Sequence, residues 1–157
     1  MTYHETIIDL IFHILSQGKE YLNLIGTRNA YDKLLRNYHQ VNAAGYIVYR
    51  NDRAKEYYRF SKKAWQPGNS QPCYYEHLIP IKIMKEELAQ LIDKEMVSIS
   101  AIRAILEKNE IVVITKDEAR MINKKHKSTI PKSGKDRLIE HNITMAPKTK
   151  KNSIWKI

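Results

Sequence analysis

The sequence predicts an α+β protein, mainly helical, with a small two-stranded β element packed on a helix. Three observations lead there. Apolar residues recur at three-and-four spacing along most of the chain, which is the signature of helices buried on one face. Two short runs, from Cys73 to Ile79 and from Ile111 to Ile114, are dense in branched and aromatic residues over strand length and read as strands. The second of these passes directly into a helical stretch through Thr115, a residue suited to cap it.

Taken in order, Ile7, Ile8, Leu10, Ile11, Ile14 and Leu15 define a first amphipathic helix. Thr2 and Glu5 supply the T-x-x-E pattern of a capping box at its start, and Gly18 is its expected stop. A second helix begins near Thr27 or Asn29 and turns Tyr31, Leu34, Leu35 and Tyr38 inward. From Val41 to Trp65 the reading is mostly helical, although Tyr46 to Tyr49 has strand composition. The stretch from Gln66 to Pro72 concentrates proline, glycine, asparagine and serine and reads as a loop. A strand over 73–79 ends at Pro80. Helices over 84–94 and 98–108 follow, the latter capped by Ser98, and then the strand over 110–115 and a helix over 116–127 whose last turns carry Lys124, Lys125 and Lys127.

A chain of 157 residues with 43% apolar content suits one domain. The expected order within it is a helical front half (1–65), a β-containing core with a helical insertion (73–127) and a basic tail (132–157). Lys and Arg number 27 against 17 Asp and Glu, a formal net charge of +10. That balance excludes an acidic nucleic-acid mimic and favours a polyanionic partner, DNA or RNA. The single cysteine, Cys73, rules out an internal disulfide and a cysteine zinc site, and points to a reducing, cytoplasmic setting. The apolar run from Ile7 to Leu15 is broken by Asp9 and His13 and has no basic lead-in, so neither a signal peptide nor a membrane span is expected. There is no G-x-x-x-x-G-K-[ST], G-x-G-x-x-G or G-x-S-x-G motif, which argues against nucleotide-fuelled and acyl-transfer chemistry.

The string with most chemical content is Glu76-His77-Leu78-Ile79-Pro80, a histidine at a strand end with an acid before it. Together with Ile114-Thr115-Lys116-Asp117-Glu118-Ala119, a strand entering a helix through threonine, it resembles the HNH, or His-Me finger, nuclease family and its ββα-metal element. The resemblance covers residues 73 to 126. It implies a metal-dependent endonuclease in which His77 activates water, since imidazole titrates near neutrality. It also implies a divalent cation, Mg2+ or Mn2+, held by hard oxygen donors, with Glu76 among them. The family's helix histidine falls at Ala119 here, so the missing ligand would come from Glu118 or Asn123. A defence or toxin setting, with an inhibitor or antitoxin protein as a further partner, follows from the same resemblance.

Each of these residues has a plainer reading. His77 in a half-buried strand can be a core residue with satisfied nitrogens, Glu76 can pair with Lys82 or Lys85, and Glu118 and Asn123 can lie on a solvated helix face. His126 and His141 sit among cations and suit phosphate or solvent. The basic residues Lys124, Lys125, Lys127, Lys148, Lys150 and Lys151 need no catalysis to matter, because lysine neutralises phosphate and releases counterions. The expectations are therefore an endonuclease, a non-catalytic basic DNA- or RNA-binding protein, and a helical module for an acidic protein partner.

Overall fold

Why the Ile111-Val112-Val113-Ile114 run lies at the centre of the sheet is explained by its lack of alternation: a strand apolar on both faces needs cover on both. In the computed structural model, which describes residues 2–41, 45, 57–66 and 72–147, this run forms strand β3 (Ile111–Thr115), buried along its whole length. On one side it pairs antiparallel with β2 (Cys73–His77), Tyr75 opposite Val113 and His77 opposite Ile111. On the other it pairs parallel with β1 (Arg59–Phe60), Phe60 beside Val113. The sheet order is therefore β1-β3-β2, three strands and not the two expected. A two-residue strand has no periodicity to detect, which is why 59–60 reads as helix in sequence.

The described residues also form eight helices: α1 (Tyr3–Ser16), α2 (Lys19–Asn23), α3 (Ile25–Tyr38), α4 (Lys62–Trp65), α5 (Ile81–Asp93), α6 (Ile99–Glu107), α7 (Lys116–His126) and α8 (Arg137–Glu140). The caps expected at Thr2, Ser98 and Thr115 are all present, the first and last as full capping boxes with Glu5 and Glu118. Gly18, with φ of 86°, both ends α1 and starts α2, a short helix that the sequence reading passes over. The reading of 41–65 as mostly helical falls largely outside the described residues, as does most of the 66–72 loop.

Contacts group the chain into two compact units that cut across its linear order. The first comprises residues 1–47 and 81–109, so the helices inserted between β2 and β3 belong with the front helices. Here α1 contacts α3, α5 and α6. It buries Ile7, Ile8, Ile11 and Leu15 in a core shared by Leu35, Met84, Leu88, Ile102 and Leu106. Each such side chain contributes about 1.5–3 kcal/mol on burial. His39 lies inside this unit, its Nε2 2.9 Å from the Leu106 carbonyl. Burial pushes the imidazole down to about 4, against the milder opposing effect of its backbone contacts.

The second unit comprises residues 48–80 and 110–157. The two faces of β3 divide its core. Ile111 and Val113 pack with Tyr58, Phe60, Ala64 and Tyr75, whereas Val112 and Ile114 pack with Ala119, Ile122, Leu138 and Ile143. Helix α7 lies on the second face. The stretch expected to be a basic tail is not one as far as residue 147: Arg137, Leu138, Ile143 and Ala146 are buried. Its backbone also reaches β1, with Ala146 N donating to Phe60 O at 2.8 Å and Lys62 N to Thr144 O at 2.8 Å. Residues 148–157 lie outside the described part. No helix among the described residues is long and apolar enough to cross a membrane.

Candidate nucleic-acid interface

Side chains alternate across a strand, so neighbouring residues of β2 face opposite sides of the sheet. His77 shares its face with Ile111, its partner, and with Tyr75 and Val113. Glu76 shares the other face with Val112, the side that α7 covers. The sheet thus separates the His77 ring from the helix expected to supply its metal ligands. His77 is 8% exposed, and its Nε2 atom is shut off from solvent. A general base for hydrolysis needs a water within hydrogen-bond reach, and Nε2 as it stands does not meet one.

Glu76 has a different task. Its Oε1 accepts from Nη2 of Arg137 at 2.9 Å, and neither Lys82 nor Lys85 is its partner; these pair with Glu86 and Asp32. Arg137 is 2% exposed and uses its whole guanidinium. Nε donates to the Leu78 carbonyl at 3.2 Å, Nη1 to the carbonyls of His126 at 3.1 Å and Lys127 at 3.4 Å, and Nη2 to the His77 carbonyl as well as to Glu76. One side chain therefore joins the end of β2 to the end of α7. Sequence reasoning counted Arg137 with the surface cations, and no local pattern distinguishes it from them.

Glu118 is buried, 3% exposed, and not on a solvated face. Its Oε2 accepts from the Thr115 amide at 2.9 Å, the Thr115 hydroxyl at 3.2 Å and the Ser61 hydroxyl at 2.6 Å. Ser61 in turn caps α4 by accepting from Ala64 N at 3.1 Å, and its amide donates to Val113 O. Ala119, where the family's metal ligand would stand, is pressed against the sheet, and Asn123, one turn further along α7, is exposed. The four residues expected around a cation are thus spread over two sheet faces, a salt bridge, a helix cap and open surface. Among the described residues no three His, Cys, Asp or Glu side chains gather closely enough to hold a metal ion. The donor set does not fit Mg2+ or Mn2+, which demand several convergent oxygens.

What the second unit does assemble is positive charge. The first unit carries nine Lys or Arg and nine Asp or Glu, the second eighteen and eight, so the entire excess of ten falls in the second. Its described carboxylates each have a partner within the chain. Glu76 pairs with Arg137, Glu110 with Arg59 at 2.7 Å, and Asp117 with Arg120 at 3.4 Å. Asp136 caps α8, and Glu140 accepts from Ser133 at 2.8 Å. Lys62, Lys63, Lys124, Lys125, Lys127, Lys132 and Lys135 are exposed, and none forms an ion pair with a described carboxylate. Arg120, Asn123, Lys124 and Lys127 follow one another at helical spacing and are all exposed, whereas Ala119 and Ile122 are buried. Lys148, Lys150 and Lys151 fall outside the described residues.

At the C-terminal end of α7, Nδ1 of His126 lies 2.9 Å from Nε2 of His141. The pair replaces the isolated phosphate or solvent contacts expected for each. His141 titrates below its ordinary range, first through loss of solvation and then through the nearby His126 and Lys125 charges. Beside the N-terminal part of α7 a cleft of about 230 Å³ is lined by Lys62, Lys63, Glu118, Met121, Asn142, Ile143 and Thr144.

Fold and surface together define an α+β protein, mostly helical, with a three-stranded mixed sheet whose unit concentrates the chain's positive charge. No protein-family model, curated protein or solved structure matches the chain.

Proposed function

We propose that this protein binds DNA or RNA through its second unit and does not cut it. One observation carries the reading: the net charge of +10 resides wholly in that unit, whose described carboxylates each have a partner within the chain while Lys62, Lys63, Lys124, Lys125, Lys127, Lys132 and Lys135 face solvent. A phosphate backbone is the polyanion such a surface suits, since each contact releases condensed counterions and no base code is required. His77 and Glu76 then belong to the architecture of the sheet. A mobility-shift assay with single-stranded and duplex probes in chelator tests this; retained binding with intact strands is the expected result, and failure to shift any probe at low salt overturns it.

The endonuclease reading stands second. It is supported by the succession of β2, β3 and a helix capped at Thr115, the order that the HNH resemblance implies. It requires His77 to reach water on the face away from α7. Incubating plasmid with the protein in Mg2+ or Mn2+ separates the two, because cleavage lost in chelator and in His77→Ala would favour this alternative.

A further inference from the structure

Glu118 combines deep burial with an opening. All three of its donors converge on Oε2, and among the described residues Oε1 takes none, while the side chain forms part of the cleft wall. An acceptor oxygen left without a donor, on a side chain only 3% exposed in the wall of a cleft, suits a ligand with N–H donors. The mouth carries Lys62 and Lys63, which repel a metal ion or an amine and attract a phosphate. Met121 and Ile143 add apolar walls suited to the faces of a flat ring. At about 230 Å³ the cleft is smaller than the roughly 300–1,000 Å³ of a drug-sized site, which suits one base with its phosphate outside.

We infer that this cleft receives a single unpaired guanine of a nucleic-acid strand, with Glu118 Oε1 accepting from its Watson–Crick edge. The inference rests on the nucleic-acid reading above and deepens it. Guanine alone among the bases sets two donors side by side, N1–H and N2–H, and one carboxylate oxygen has lone pairs for both. Adenine and cytosine place an acceptor beside their amino donor, and thymine or uracil flanks one N–H with two carbonyls, so each would turn a lone pair toward the carboxylate. Asn142, held in the left-handed region at φ 54°, and Thr144 also line the cleft as further polar groups.

The test compares labelled strands of about ten thymidines with the same strand carrying one central guanine or inosine, in chelator at about 50 mM salt. The full chain should prefer guanine over the all-thymidine strand by about tenfold, with inosine, which lacks the 2-amino donor, in between. In Glu118→Gln the amide oxygen can keep the three donors and the capping box, so the NH2 takes the place of Oε1 in the cleft. That variant should lose the guanine preference and keep its affinity for thymidine. Met121→Ala, on an exposed wall, should reduce the preference without touching the cap. Equal affinity for all three strands in the unaltered protein overturns the guanine site and leaves the charge-based reading standing. Absence of binding to any strand overturns both.

Discussion

Replacing Arg137 by methionine keeps much of the side-chain stem and removes the guanidinium that holds the second unit together. The variant leaves the Glu76 carboxylate and the carbonyls of His77, Leu78, His126 and Lys127 without the donor they share. Breaking one side of a buried ion pair costs about 3–5 kcal/mol. Two features set where this case falls. The Glu76 side chain is 22% exposed, so water recovers part of its loss, and the α7 end carbonyls lie near solvent. The His77 and Leu78 carbonyls add about 1 kcal/mol each. A loss of about 4 kcal/mol follows, and at about 2–4 °C per kcal/mol it lowers the melting temperature by roughly 10 °C. Urea unfolding of Arg137→Met, Glu76→Gln and the double variant measures it, and the two single changes should couple by more than about 1 kcal/mol. Lys135→Met, an exposed control in the same segment, should stay within about 0.5 kcal/mol. An Arg137→Met protein as stable as that control, or additive effects in the cycle, would refute the structural role given to the pair. Adding Mg2+ should leave the unaltered protein's melting unchanged; a rise abolished by Glu76→Gln would return Glu76 to metal binding.

Ser61→Ala removes a cap from α4 and the hydroxyl donor to buried Glu118 together, and should cost about 2 kcal/mol by denaturant titration; a change under about 0.5 kcal/mol would contradict it. His39 titrates lower in the folded chain than in the unfolded one, so the unfolded chain binds the extra proton between about 6.5 and about 4. Stability is accordingly full above that window and falls by about 3 kcal/mol as pH drops through it, with His4 acting in the same direction. His39→Gln should flatten the pH profile, and parallel profiles would refute the assignment. Lys124→Glu and Lys127→Glu should each weaken nucleic-acid binding and reduce the salt slope by about one, whereas Lys94→Glu in the neutral first unit should do neither in the same titration.

Much of the fold is legible because its signals are local. Apolar spacing marks α1, α5 and α6, and Thr2, Ser98 and Thr115 announce helix starts by chemistry that acts within three residues. The unbroken Ile111–Ile114 run marks a strand buried on both faces. What sequence could not show is which face a residue meets in three dimensions. Glu76 and His77 look like one unit in the string E-H, yet the pleat sends them to opposite sides of the sheet. Glu118 and Ser61 are far apart in sequence, and only the parallel addition of β1 brings the serine under α7. Arg137 looked like one more cation in a basic stretch because its partners, Glu76 and four backbone carbonyls, lie on other elements. The charge excess was legible as a total, but its confinement to one unit required knowing that 81–109 joins the front helices.

Binding of nucleic acid by this protein depends on the charge of the second unit engaging a phosphate backbone. The most direct measurement is fluorescence anisotropy of a labelled single strand titrated with the full chain in chelator over a range of KCl concentrations. The expected result is an affinity whose logarithm falls linearly with that of salt, with a slope steeper than about −3, from five or more phosphates neutralised at about −0.7 each. An affinity indifferent to salt, or no binding at the lowest salt, would contradict the account.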